Sequence, residues 1–214
     1  MISYLNFRDT LIPYGCFTIH QARSYFPKFN RNSLTRWEQK KLIIKLRQEW
    51  YSFPDMLNRA DFSRYIASRI YCPSYISLHT ALSIYGIIPE AVSTITSVTT
   101  LKTSRFENQF GQYSYQNIKP TLFFGYKPIS TPKNNSMVNQ TQQTWYIAYP
   151  EKALLDLLYL YPFYNNESEL KELRLDEYFI TNELDTNKLK EYQQKIGCKA
   201  LDKRINLLLK VYGL

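Results

Sequence analysis

Apolar positions in this chain follow two periods, and the places where the period changes mark its elements. Leu78, Ala81, Leu82 and Tyr85 recur at the spacing of one helix face. Ser77 stands where a hydroxyl can accept the first free N–H groups, Gly86 where a left-handed residue can end the helix, and Pro89 blocks its continuation. Val92 to Thr100 is then β-branched at almost every other position, which predicts a strand. Leu101 to Ile118 continues as β structure around the turn residues Asn108-Gln109-Phe110-Gly111, with Tyr113 and Tyr115 alternating with Ser114 and Gln116. Thr121–Tyr126 and Thr144–Ala148 predict two further strands. Between them Lys127 to Gln143, rich in Pro, Asn, Ser and Gln, predicts an exposed loop. Pro150 suits a first helical position and Glu151 the positive helix end, so 150–161 predicts a helix with Leu154, Leu157, Leu158 and Tyr161 inward. The tail from Glu167 is helical by composition, with breaks near Asn182–Asp185 and at Gly197. Its last helix should turn Ala200, Leu201, Ile205, Leu208 and Leu209 inward.

The first third has a different order. A weak helical stripe (Ile2, Leu5, Phe7, Leu11) precedes Pro13 and Gly15, and a second helix with Ile19, Ala22 and Phe26 on one face has Thr18 as its N-cap and Pro27 as its stop. After a short turn, Ser33 to Leu42 forms a third helix with Leu34 and Trp37 inward, and Ile43 to Phe53 reads as two short strands around Arg47-Gln48. Three helices followed by a hairpin is the order of a winged helix-turn-helix, which enters the DNA major groove with the N-terminal part of its third helix. Arginine pairs bidentately with guanine, and asparagine or glutamine with adenine. The residues expected at DNA are therefore Thr18, Gln21, Asn30, Arg31, Asn32, Ser33, Thr35, Arg36, Gln39 and Lys40, with Lys45 and Arg47 of the wing, like Lys40, at phosphates. Residues 56–72, with Phe62, Tyr65, Ile66 and Ile70 at helical spacing, read as a helical connector whose Arg59, Arg64 and Arg69 face solvent.

Charge sharpens this division. Residues 1–71 hold 12 Lys and Arg against 5 Asp and Glu, a net +7, whereas the remainder holds 15 against 13, a net +2. A basic first third joined to a nearly neutral remainder suggests a nucleic-acid-facing module attached to something else. Three scattered cysteines argue against a disulfide framework and for a reducing cytoplasm, and no apolar run has membrane-spanning length.

Catalytic patterns are weak. His20 and His79 lie far apart, no Cys or His pair has metal-ligand spacing, and the six glycines form no phosphate loop, so neither metal nor cofactor is expected. Glu107, Glu151, Lys152 and Asp156 resemble a nuclease set only superficially. Glu151 and Asp156 point in different directions on a helix, Glu151 suits a helix start, and Lys152 with Asp156 makes an i, i+4 pair of modest worth. The expectation is a non-enzyme.

The wording PSYISLHTALSIYGIIPE … ITSVTT … PEKALLDLLYL, from Tyr71 onward, resembles the AbiEi family of antitoxins from bacterial type IV toxin–antitoxin and abortive-infection loci. The resemblance implies a repressor of its own operon that binds operator DNA through an N-terminal domain and counters a nucleotidyltransferase-type toxin. The expected architecture is an α+β protein: a winged helix-turn-helix over 1–55, the connector over 56–72, and an AbiEi-like mixed domain with a helical tail over 73–214. The other readings are a regulator without a toxin, whose C-terminal domain binds a ligand or protein, and, behind it, an enzyme acting on nucleic acid.

Overall fold

The structure, a computed structural model, describes residues 2–59, 61–130 and 143–213. It is an α+β protein built around two sheets. The N-terminal unit runs α1 (Tyr4–Leu11), β1 (Cys16–Thr18), α2 (Ile19–Tyr25), α3 (Asn32–Gln39), β2 (Ile44–Arg47) and β3 (Trp50–Ser52). Its strands form an antiparallel sheet in the order β1-β3-β2, the topology of a winged helix. Aromatic rings fill its small core. Phe7 is stacked on Phe29 at 5.0 Å, meets Trp37 at 4.7 Å and meets Phe17 edge-on at 5.3 Å. Leu5 lies on the outer side of α1 and is exposed, against the expected stripe.

The larger unit contains α4 (Phe62–Ile70), β4 (Ser74–Ile76), α5 (Leu78–Ile84), β5 (Thr94–Thr99), β6 (Ser104–Asn108), β7 (Gly111–Asn117), β8 (Tyr126–Ser130), β9 (Thr144–Ala148), α6 (Pro150–Leu160), α7 (Glu167–Glu172), α8 (Thr186–Ile196) and α9 (Lys199–Val211). Six strands make one mixed sheet, ordered β6-β7-β5-β4-β9-β8. One face meets α4, where the Tyr115 hydroxyl donates to the Ala67 carbonyl at 2.8 Å. The opposite face carries α5 and α6, and α7, α8 and α9 pack outside them. On that face α5 lies against β5 through bonds between Thr80 and Thr96, whereas β7 and β6 stay open, with Thr94 and Thr96 of β5 at the edge of the opening. No helix among the described residues is long and apolar enough to cross a membrane.

Local chemistry explains most boundaries. At the end of α5, Gly86 N–H bonds the Ser83 carbonyl and Ile87 N–H bonds the Leu82 carbonyl at 2.8 Å, with Ile87 and Leu82 both buried. This is the paired closure expected of a glycine stop. The strand expected at 121–126 is instead a 3-10 turn, Pro120–Leu122, and the strand starts at Tyr126. Pro120 has no N–H for a ladder, whereas Pro128 is tolerated because β8 is an edge strand. Residues 127–130 of the expected loop thus belong to β8, and 131–142 lie outside the described residues. In α9, Leu201, Ile205 and Leu208 are buried but Ala200 is exposed.

Residues 56–72 are not a connector. Phe62, Tyr65, Ile66, Ala67 and Ile70 of α4 belong to the same core as β4, β5, β9 and α6. Cys16, Ile44, Leu46 and Met56 join that core from the N-terminal side. The two units are therefore fused through a shared apolar layer rather than strung on a linker. Gly15 lies in this seam: its φ is +72°, and a Cβ there would lie 2.7 Å from the Phe62 ring and run into the Gln143 amide.

A buried ionic cluster ties the sheet to α6. Lys152 is 0% exposed and Asp156 3%. The Lys152 ammonium donates to Asp156 Oδ1 and, at 2.9 Å, to the Tyr75 hydroxyl. Tyr75 donates to Asp156 Oδ2 at 3.0 Å and Ser77 donates to the same oxygen at 2.8 Å. Burial, and then the Asp156 charge, hold the Tyr75 hydroxyl well above its ordinary pKa, so it remains a donor. The Lys152–Asp156 pair is thus no surface i, i+4 pair. Ser77 spends its hydroxyl here rather than on the α5 N-terminus, where Thr96 Oγ1 instead accepts from Thr80 N–H at 3.1 Å.

Two outcomes follow. Lys152→Met leaves an unpaired buried carboxylate and should cost about 3–5 kcal/mol in urea unfolding, part of which Asp156→Asn added to it should recover. Burial pushes the Cys16 thiol up to about 11. In a chain with Cys198→Ser, exposed Cys72 should react with a thiol reagent at once at pH 8 and Cys16 only as the two units separate.

Candidate nucleic-acid interface

Helix α3 is set by what precedes it. The Phe26 N–H closes α2 on Ala22, Phe29 turns into the core, and the Asn30 side chain accepts from Asn32 N–H at 2.9 Å. With Leu34 and Trp37 buried, the helical period places Asn32, Thr35, Arg36 and Gln39 together on the opposite side, and all four are exposed. Arg36 donates to Ser33 Oγ at 3.2 Å, which steadies the guanidinium beside the half-buried serine. Asn30, Arg31 and Lys40 are exposed at the two ends of this stripe.

Helix α2 contributes less. Thr18 caps it, accepting from Gln21 N–H at 3.1 Å, so the hydroxyl oxygen is already engaged. Gln21 is half-buried. Exposed His20 lies 3.8 Å from Glu49, the residue at the wing tip.

The wing corrects the expected phosphate contacts. Lys45 projects outward between buried Ile44 and Leu46 and is exposed. Arg47 turns the other way. Its guanidinium donates to the Ile70 carbonyl at 2.6 Å and lies over the rings of Phe106, at 4.3 Å, and Tyr71, at 4.7 Å. A break in register between Lys45 and Arg47 accompanies this change of direction. Arg47 is therefore a fastener between the wing and the larger unit. Asn108 reinforces it by donating from its amide to the Leu46 carbonyl at 3.1 Å.

Cations outnumber acids around α3, where Glu38 is exposed beside Lys41 and Lys45. Arg23, Lys28, Arg31, Arg36, Lys40, Lys41 and Lys45 are all exposed, and none is in an ion pair among the described residues. An excess of exposed cations attracts a polyanion at long range. Arg23, Lys28 and Lys41 were absent from the expected contacts. Helix α3 stops at Gln39, short of the expected Leu42, and Lys41, at φ 55°, lies in the turn to β2.

Glu107, Glu151, Lys152 and Asp156 do not converge. Glu107 is on β6, and buried Glu151 accepts from Asp185 N–H at 3.2 Å and sits 3.6 Å from Lys188, holding α8. Its carboxylate and that of Asp156 thus serve different partners.

The two wing cations should separate in a stability measurement. Arg47→Ala removes a charged hydrogen bond and should cost roughly 1.5–3 kcal/mol in chemical denaturation, whereas Lys45→Ala should stay within about 0.5 kcal/mol of the parent. No protein-family model matches the chain, and no curated protein matches it.

Proposed function

We propose that this chain is a DNA-binding transcriptional repressor that reads the major groove with α3. The observation that carries the reading is the exposed stripe of Asn32, Thr35, Arg36 and Gln39 opposite Leu34 and Trp37. These side chains have the donors and acceptors that distinguish base edges, and the surrounding unpaired cations supply phosphate affinity. Topology supports the same reading, since a helix exposed beside a short hairpin is how winged helices meet a duplex.

The antitoxin role is the second layer of the proposal and rests on the resemblance of the motifs around Tyr75 to Thr100 and Pro150 to Leu160. In that role the larger unit counters a nucleotidyltransferase-type toxin, while the N-terminal unit represses the shared operon. Growth rescue on co-expression with such a toxin tests it. A double change of Arg31 and Arg36 to Ala should abolish repression yet preserve rescue from an unrelated promoter. Loss of both would contradict the division of labour.

DNA binding is checked by titrating the full chain with a duplex from its own promoter region at several salt concentrations. The logarithm of affinity should fall linearly with the logarithm of salt. Arg36→Ala or Asn32→Ala should cost about 1–3 kcal/mol at the preferred site and relax base preference. Lys45→Ala should weaken all duplexes alike, and Arg47→Ala should leave the base preference intact. Salt-independent binding, or loss of base preference in Arg47→Ala rather than Arg36→Ala, would sink the α3 reading.

A further inference from the structure

The open end of the large sheet, over β7 and β6 and the near side of β5, forms a groove of about 560 Å³, within the size range of small-ligand sites. Its floor is the side of β5, β7 and β6 turned away from α4, and its wall is Tyr161, just beyond α6. On that floor Glu107 pairs across the strands with Gln112, and Arg105 with Ser114. Directly opposed side chains start about 5 Å apart, and Arg105 lies about 7 Å from Glu107 along the strand.

Each of these groups has unused bonding capacity. Arg105 and Glu107 are exposed and in no ion pair among the described residues. The Gln112 carbonyl oxygen accepts from the Thr94 hydroxyl at 3.1 Å, which leaves its NH₂ group as the donor facing the groove. Ser114 is only 7% exposed and lines the groove, and its hydroxyl has no partner among the described residues. A hydroxyl that opens onto a polar hollow is free to bond a group that enters it.

We propose that this groove binds a guanine nucleotide. A carboxylate beside an amide donor matches the guanine edge: Glu107 accepts from N1–H and the 2-amino group, and Gln112 donates to O6. Tyr161 offers a ring for the base to stack on. Arg105, one step along the same strand face, is placed for the phosphate, with Ser114 as a further donor. Cytosine and uracil present shorter edges, and adenine lacks the two adjacent donors that a carboxylate takes together. A second hollow continues across β5 to His79 and Tyr164, so the nucleotide can be free or part of a single strand. This assignment does not depend on the DNA-binding reading of α3.

The test is calorimetric titration of the full chain with GMP, AMP, UMP and CMP, and with a single-stranded hexamer containing one guanosine. GMP should bind with a dissociation constant below about 1 mM and at least about tenfold tighter than the other three. Glu107→Gln should erase that preference, and Arg105→Gln should weaken GMP at least about tenfold, while both variants unfold at the parent's temperature. A hexamer tighter than GMP, and equally sensitive to Glu107→Gln, assigns the site to a strand; a hexamer no tighter assigns it to the free nucleotide. Failure of GMP to bind, equal affinity for the four nucleotides, or binding that survives Glu107→Gln would overturn the proposal.

Discussion

The wing has two sides, and one of them is taken. β2 carries Lys45 to solvent while Ile44 and Leu46 enter the core of the larger unit. Arg47 then locks the end of the strand with a bond to the Ile70 carbonyl and two aromatic rings. A guanidinium suits this place because its flat face stacks on rings while its edge still donates. Removing it would leave a carbonyl and two ring faces without their cation. The position of α3 relative to the large sheet therefore follows from how β2 is seated, since β2, β3 and β1 form one ladder from which α2 and α3 are hung.

Strand β6 stands on both sides of this arrangement. Phe106 and Asn108 face the wing through Arg47 and Leu46, whereas Arg105 and Glu107 face the open groove. Period-two alternation makes a single strand the partition between the two surfaces. The cluster of Tyr75, Ser77, Lys152 and Asp156 works on the covered half of the same sheet. It joins the β4–α5 stretch to the start of α6, so these distant parts of the chain meet in space as a structural latch.

Much of this was legible in the residues themselves. The Asn108–Gly111 turn, the Tyr113/Tyr115 alternation, the Pro150 helix start and the Gly197 break all appear where their local chemistry puts them, because each depends on neighbours within a few positions. Helices α2 and α3 were legible for the same reason. What escaped was long-range. Nothing in the vicinity of Arg47 announces that Ile70, Tyr71 and Phe106 will surround it. The i, i+4 spacing of Lys152 and Asp156 was visible, but their burial depends on Tyr75 and Ser77, more than seventy residues away. Apolar spacing over 62–70 announced a helix but not that its face would complete a core. The three-residue strand β1 is too short to show a period.

The central claim, that α3 reads DNA while the wing is seated on the larger unit, is tested most directly by mapping backbone amide shifts of the full chain during titration with its promoter duplex. The account predicts that the largest changes fall on Asn30 to Lys40, on the start of α2 and on Lys45, with the amides of Ile70, Tyr71 and β6 nearly still. Changes centred on β5, β6 and β7, with α3 unmoved, would contradict it.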